Sequence, residues 1–331
     1  MADLRVKFMG MELRSPVVVA SCGLTSRVEG MEVAERSGAG AVVMKSIFEE
    51  QIREDTLRAY RAGFGENDPF PGALDYLRAY ARSHSIRQHV EVLREAKRRL
   101  TIPVIASINC FSDGEWVSFA KELEEAGADA LELNIFIPPT GDFAGSADLE
   151  EAYAGIVRAT RAVAGIPLAV KIGRDFTHLP AFVERLHHAG ANAVTLFNRL
   201  VSPDIRVDTL EITGDASPLS QPSDLRATLR WTGVVAGRDR SREISASTGV
   251  HDGEAVVKLL LAGATSVQVC SLLYRRGVTV IKELNDFLAT WMERNGFARV
   301  EEFRGMRSGA TIADQRLYER AQFIKYFNNP S

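Results

Sequence analysis

Residues 125–134 read EAGADALELN, and three other stretches repeat the phrase: SGAGAVVMK at 37–45, HAGANAVTLFN at 188–198 and LAGATSVQVC at 261–270. Each joins the end of a helical pattern to a glycine and then to a short, β-rich apolar run. Gly38, Gly127, Gly190 and Gly263 suit the position just past a helix, where φ is commonly positive. The runs that follow are almost continuously apolar, as parallel strands covered on both faces are. Four more runs fit the same role: VVVA at 17–20, VIASIN at 104–109, LAVKI at 168–172 and EISAST at 243–248. Together they make eight strands.

Helical patterns lie between them, at Gly30–Arg36, Ile86–Leu100, Asp113–Glu125, Leu149–Val163, Leu179–His188 and Gly253–Leu261. Within WVSFAKELEEAG, Val117, Ala120 and Leu123 recur at helical spacing with charges between them. Eight alternations of strand and helix predict an α/β architecture, a single closed (β/α)8 barrel over residues 1–331 with its core at about 17–290. A doubly wound open sheet is the competitor, but it has fewer strands and a glycine-rich first turn, and VVVASCGLTS offers only Gly23. Two intervals are longer than the repeat needs: 46–103, which includes FGENDPFPGALDYL, and 199–242. Both are expected to be strand-end loops over the barrel mouth. Val280–Arg294 reads as the closing helix and Asn295–Ser331 as a polar helical appendage.

The chain has 331 residues, 46% hydrophobic and 25% charged, with a net charge of −3. That balance is ordinary for a globular protein and gives no basic surface for nucleic acid. No signal region or membrane-length apolar run is present, so a cytoplasmic protein without a membrane partner is expected. Cys22, Cys110 and Cys270 lie far apart in sequence and form no CxxC pair, which predicts neither a disulfide framework nor a metal site.

Barrel chemistry gathers at the C-terminal strand ends. Those ends carry Ala20-Ser21-Cys22, Lys45-Ser46, Asn109-Cys110, Asn134, Lys171, Asn198-Arg199, Thr248-Gly249 and Cys270-Ser271. Two lysines, three asparagines and an arginine converge there, and no carboxylate stands at a strand end itself. A buried ammonium needs an anionic or strongly accepting partner, so the pair of lysines implies an anionic or electron-rich ligand. Small residues at Thr248-Gly249 and Cys270-Ser271 open the turns after the last two strands, where this architecture usually takes phosphate.

These residues resemble the dihydroorotate dehydrogenase family of FMN-dependent barrels, and in particular its soluble class. The resemblance runs from about Val17 to Gly277 and rests on PVVVAS, AVVMKS, ELN, PLAVKI, the FN pair, STGVHDGEAVVKLLLAGATSVQV and LLYRRG. It implies a flavoprotein oxidoreductase that passes a hydride between a small planar or carboxylated substrate and flavin N5. Ala20, Ser21, Lys45 and Ser46 would lie along the flavin, with Lys45 also reaching the substrate. Asn134 and Asn198 would hydrogen-bond flavin or substrate, with Arg199 beside them. Lys171 would face the N1/O2 side of the ring, and Thr248, Gly249, Cys270 and Ser271 would hold the phosphate. A homodimer and a possible redox partner protein are implied in the same way.

The resemblance breaks where the family carries its base. Ile137 stands at the position of a Cys or Ser that takes a proton from substrate carbon, and Pro139 replaces an amide side chain. Isoleucine accepts no proton at any pH. Cys110 is the candidate replacement, and Thr140, His178, His187 and His188 are weaker ones. Arg174, Arg199 and Arg206 would make the mouth cationic, favouring a carboxylate or phosphate substrate. Four readings stay open: an FMN oxidoreductase with a substrate of its own, a true dihydroorotate dehydrogenase of pyrimidine biosynthesis with another base, an electron-relay flavin barrel, and a Schiff-base lyase using Lys45 or Lys171.

Overall fold

The computed structural model describes residues 2–50, 73–110, 113–138, 143–199, 203–214 and 218–319, with isolated positions at 52, 54, 57, 58 and 201. Its eight expected strands close a parallel ring. The order around it is Ala41–Val43 (β4), Val17–Val19 (β3), Ser266–Val269 (β13), Glu243–Ser247 (β12), Ala193–Leu196 (β9), Leu168–Ile172 (β8), Ala130–Asn134 (β7) and Val104–Asn109 (β6). β4 pairs with β6 through Val42 and Val104 and so shuts the barrel, and the two-residue strand Ile47–Phe48 (β5) adds to the end of β6. The repeated phrase behaves as its chemistry demands, since Gly38, Gly127, Gly190 and Gly263 have φ of 96°, 98°, 117° and 119°.

Helices wrap the ring with their apolar stripes inward. In Val28–Arg36 the buried positions are Val28, Met31 and Ala34, three residues apart. The barrel strands are buried throughout apart from Glu243 and Asn109 at their ends. Two elements stand outside the repeat. An antiparallel hairpin, Val6–Phe8 (β1) with Met11–Leu13 (β2), covers the N-terminal end, where Met9 N–H donates to the Glu243 carboxylate at the start of β12. A second hairpin, Pro203–Arg206 (β10) with Glu211–Gly214 (β11), rises from the other end with Ile205, Leu210 and Ile212 exposed.

The interval 199–242 is therefore not only a loop, because it also contains a helix, Leu225–Arg238. Much of 46–103 is likewise helical, as Ala73–Arg99 begins well before Ile86. The stretch FGENDPFPG lies outside the described residues. The tail carries two short helices, Val300–Phe303 and Arg316–Glu319, and is tied to the barrel. Arg299 bridges to Asp3, and the backbones of Gly305, Arg307 and Gly309 bond back to Leu260, Leu261 and Gly233. Residues 297–309 thus pack on their own barrel.

Gly40 gives the packing a direct test. A Cβ there would sit 1.9 Å from the Ser15 carbonyl oxygen, whereas one at Gly155, inside the helix Ser146–Val163, would meet only the Arg158 guanidinium at 4.0 Å. Gly40→Ala is expected to destabilise the fold by at least about 1–3 kcal/mol. Gly155→Ala should stabilise it by about 0.5–1 kcal/mol. Denaturant titration of the two variants checks both signs.

Candidate active site

Under the barrel mouth lies a cavity of about 110 Å³ lined by Ala20, Ser21, Lys171, Phe197, Asn198, Arg199, Ser220, Ser247, Thr248, Gly249, Val250, Gln268, Cys270 and Ser271. Its walls hold hydroxyls, amides, an ammonium and a guanidinium, and among the described residues no carboxylate lines it. The backbone of one wall is unusual. Thr248 and Gly249 have φ of 84° and 85°, and a Cβ on Gly249 would fall 2.1 Å from Leu225 N. Left-handed backbone is unfavourable for a β-branched residue and persists only when its surroundings hold it. Here Thr248 Oγ1 donates to Phe197 O at 3.0 Å, while Thr228 Oγ1 donates to the carbonyls of Ser247 and Thr248 at 3.1 Å each.

Ser220 ties this turn to the one after β13. Its N–H donates to Ser271 Oγ at 2.8 Å, its hydroxyl accepts from Gly249 N–H at 3.4 Å, and its carbonyl accepts from Arg275 at 3.3 Å. His251 Nε2 lies 3.2 Å from the same hydroxyl. Burial, and next the Arg275 charge, holds that imidazole below its usual range. Nothing in the pattern of residues 199–242 singles out Ser220. It is placed by the path of a long loop.

Below the cavity Lys171 meets an unexpected partner. Its Nζ lies 3.7 Å from Glu132 Oε1 and donates to Gln268 Oε1 at 3.3 Å. Glu132 also accepts from Thr195 Oγ1 at 2.9 Å and Gln268 Nε2 at 2.5 Å. All four side chains are buried. Strand alternation explains the meeting, because Glu132 is two residues before Asn134 and so shares its face. Lys171 thus has a counter-charge inside the barrel, so its burial does not by itself call for an anionic ligand. A polar residue in the middle of an apolar run, as in ALELN and SVQV, was the signal for both Glu132 and Gln268.

Of the other candidates, Asn198 lines the cavity and donates to Asn134 Oδ1 at 3.0 Å, so Asn134 stands one bond behind the wall. Ser46 stands behind it in the same way, with its hydroxyl 3.0 Å from Ser21 Oγ and 2.7 Å from Ser107 Oγ. Lys45 is half-buried and does not line the cavity; its carbonyl accepts from His89 Nε2 at 3.3 Å. Arg199 lines the rim, with Nε 3.9 Å from Asp224 Oδ2. Arg206 pairs with Glu211 on the second hairpin and Arg174 is exposed, and neither lines the cavity.

Cys110 is 5% exposed, packs in the hydrophobic core and does not line the cavity. His178 caps the helix Leu179–His188 by accepting from Ala181 N–H, His187 bonds the Ala191 carbonyl, and His188 sits on the surface. Ile137 packs against the core and its N–H donates to Tyr153 Oη at 3.0 Å. Pro139 and Thr140 lie outside the described residues. Cys22 and Cys270, though distant in sequence, meet across the β3–β13 seam with their thiols hydrogen-bonded.

Among the described residues no helix is long and apolar enough to cross a membrane. The family profile described as Dihydroorotate dehydrogenase matches residues 79–292. A protein of Aeropyrum pernix, provisionally named a dihydroorotate dehydrogenase A (fumarate), is 29% identical over 310 residues, covering 92% of this chain and 97% of its own. The catalytic subunit of a dihydroorotate dehydrogenase B (NAD(+)) from Thermoplasma volcanium is 25% identical over 320 residues, covering 92% and 99%. The catalytic subunit of the same name from Thermococcus kodakarensis is 26% identical over 318 residues, covering 92% and 98%.

Proposed function

Because this chain belongs to the dihydroorotate dehydrogenase family, we propose that it is an FMN-dependent oxidoreductase acting on a CH–CH bond of a small planar or carboxylated substrate. One observation carries the reading: a cavity at the C-terminal strand ends with Lys171, Arg199 and many hydroxyl and amide groups on its walls, and no carboxylate among the described residues that line it. Such a donor set fits the phosphate and the electron-rich ring of FMN, so the cofactor suits the residues present.

In this proposal the turns at Thr248-Gly249 and Cys270-Ser271 hold the phosphate, with Ser220 keeping the two turns in register. Ala20 and Ser21 lie along the ring, Ser46 supports Ser21, and Asn134 fixes the orientation of the Asn198 amide. When bound, FMN supplies a two-electron acceptor for hydride leaving a substrate carbon. Lys171 faces the N1/O2 edge as a hydrogen-bond donor whose field is offset by Glu132. Arg199, on the cavity rim, is placed to meet a substrate carboxylate. Lys45 is set back from the cavity wall, so its contact with substrate requires the side chain to extend inward.

Ile137 leaves the usual place of the base without a proton acceptor. We therefore propose a substrate other than dihydroorotate, or an electron-relay role at the same cavity. The pairing of Lys171 with Glu132 disfavours its use as a Schiff-base nucleophile. The relatives named as catalytic subunits support a redox partner protein, and the exposed apolar hairpin at 203–214 supports a homodimer with a second copy of this chain. Sedimentation of the purified protein decides that state. We place the protein in the cytoplasm and treat residues 1–331 as one barrel unit.

The cofactor test is direct. Protein isolated under native conditions is expected to be yellow, to bleach on reduction by dithionite, and to rebind FMN at micromolar concentration after stripping. A colourless protein that leaves added FMN unbound in equilibrium dialysis would overturn the assignment.

A further inference from the structure

We propose that Cys22 and Cys270 form a redox-active dithiol at the cavity wall, which closes to an intramolecular disulfide on exposure to a hydroperoxide, with Cys22 attacking and Cys270 resolving. Barrel closure makes the meeting possible. β3 and β13 are neighbours, Val19 is in register with Val269, and Ala20 N–H donates to Val269 O at 2.9 Å. Each cysteine stands just beyond its strand, and their thiols are hydrogen-bonded. None of the three cysteines is in a disulfide.

The surroundings of Cys22 suit a thiolate. It stands at the start of the short turn Gly23–Thr25, beside the backbone N–H groups of that turn and against the Cys270 thiol. Backbone donors aimed at a sulfur favour its charged form. The Cys270 contact, with those donors, outweighs burial and lowers the Cys22 thiol to about 6. The same contact, then burial and the Cys22 charge, holds the Cys270 thiol well above its ordinary range, with Lys171 pulling the other way. At neutral pH the pair is therefore one thiolate and one thiol, which is the arrangement of an attacking and a resolving cysteine. Both are half-buried, and Cys270 lines the cavity. Cys110, in the core, is an internal control.

The chemistry balances without a cofactor. The Cys22 thiolate attacks one peroxide oxygen, the O–O bond breaks, and the departing hydroxide takes a proton to leave as water, giving a sulfenic acid at Cys22. Oxidation removes the negative charge that held the Cys270 proton. Cys270 then loses that proton and attacks the Cys22 sulfur; the S–O bond breaks and a second water leaves. Two thiols and one peroxide become one disulfide and two waters, and a dithiol reductant reverses the change.

The full-length chain as isolated, fully reduced and then treated with hydrogen peroxide, is expected to become lighter by two hydrogens. Its peptide map should show Cys22 joined to Cys270 and Cys110 unmodified, with dithiothreitol restoring all thiols. Cys270→Ser should stop at a Cys22 sulfenic acid trapped by dimedone. In the untreated wild-type chain, alkylation of Cys22 by iodoacetamide should be half-maximal near pH 6, and Cys270→Ala, which removes the donor, should move that midpoint upward. A wild-type chain in which Cys22 stays sulfenic or Cys110 oxidises first would overturn the proposal. So would one whose Cys22 alkylates only above pH 8, an outcome that does not depend on any variant folding.

Discussion

Replacing Glu132 with leucine is expected to lower the unfolding free energy by about 3–5 kcal/mol, the usual effect of removing one partner from a buried ion pair. The reason is in the geometry. Glu132 is 1% exposed and Lys171 7%, and the described structure gives Lys171 no other carboxylate. Glu132→Leu would leave the ammonium with the Gln268 amide alone, while Thr195 and Gln268 lose their shared acceptor. The informative control removes both charges. Glu132→Leu with Lys171→Met leaves no uncompensated ion, so its stability should return to within about 1–2 kcal/mol of wild type. Denaturant unfolding of the two singles and the double, all at one pH, measures the coupling. Additive losses across the cycle would show that the contact is not a working ion pair and that Lys171 is available to compensate a ligand after all.

That network also marks the boundary of what a reader of the sequence could obtain. The barrel was legible because its signals are local: a glycine past each helix, then a run apolar on both faces. Cavity residues at strand ends were legible because the fold class says where strand ends go. Glu132 was hidden because an acid inside ALELN counts against an apolar run, and only the register of β7 on β8, with Asn134 beside Lys171, shows that it faces the lysine. The helix Leu225–Arg238 was hidden for a different reason. Its sequence, LRATLRWTGVVAGR, has glycines at 233 and 237 that weaken the helical signal. Tertiary packing requires both: a Cβ on Gly233 would lie 2.4 Å from the Tyr318 ring, and one on Gly237 2.8 Å from Gly309 Cα. The approach of Cys22 to Cys270 is a product of closure, since the first and last strands of the barrel are neighbours only in the finished ring.

Ile137→Cys is expected to raise the rate of dihydroorotate oxidation with an artificial electron acceptor by about 10²–10⁴, the usual contribution of a positioned general base. The substitution is local. The Ile137 N–H is held by Tyr153 Oη at 3.0 Å, a backbone contact that any side chain at this position retains. Ile137 is half-buried against the core, so the smaller cysteine should lower stability by about 1–2 kcal/mol through lost packing. Ile137→Ala loses the same packing and supplies no base, and separates loosening of the loop from proton transfer. The gained rate should rise with pH as the new thiol ionises, whereas wild type and Ile137→Ala should show no such limb. Two results would count against the assignment of position 137. One is a wild-type rate already equal to that of Ile137→Cys, which would mean that another group takes the substrate proton. The other is an alanine variant as fast as the cysteine variant, which would trace the gain to space and not to a proton acceptor. If neither occurs, the site has kept the machinery for accepting a hydride and lost, at this one position, the group that takes dihydroorotate's proton.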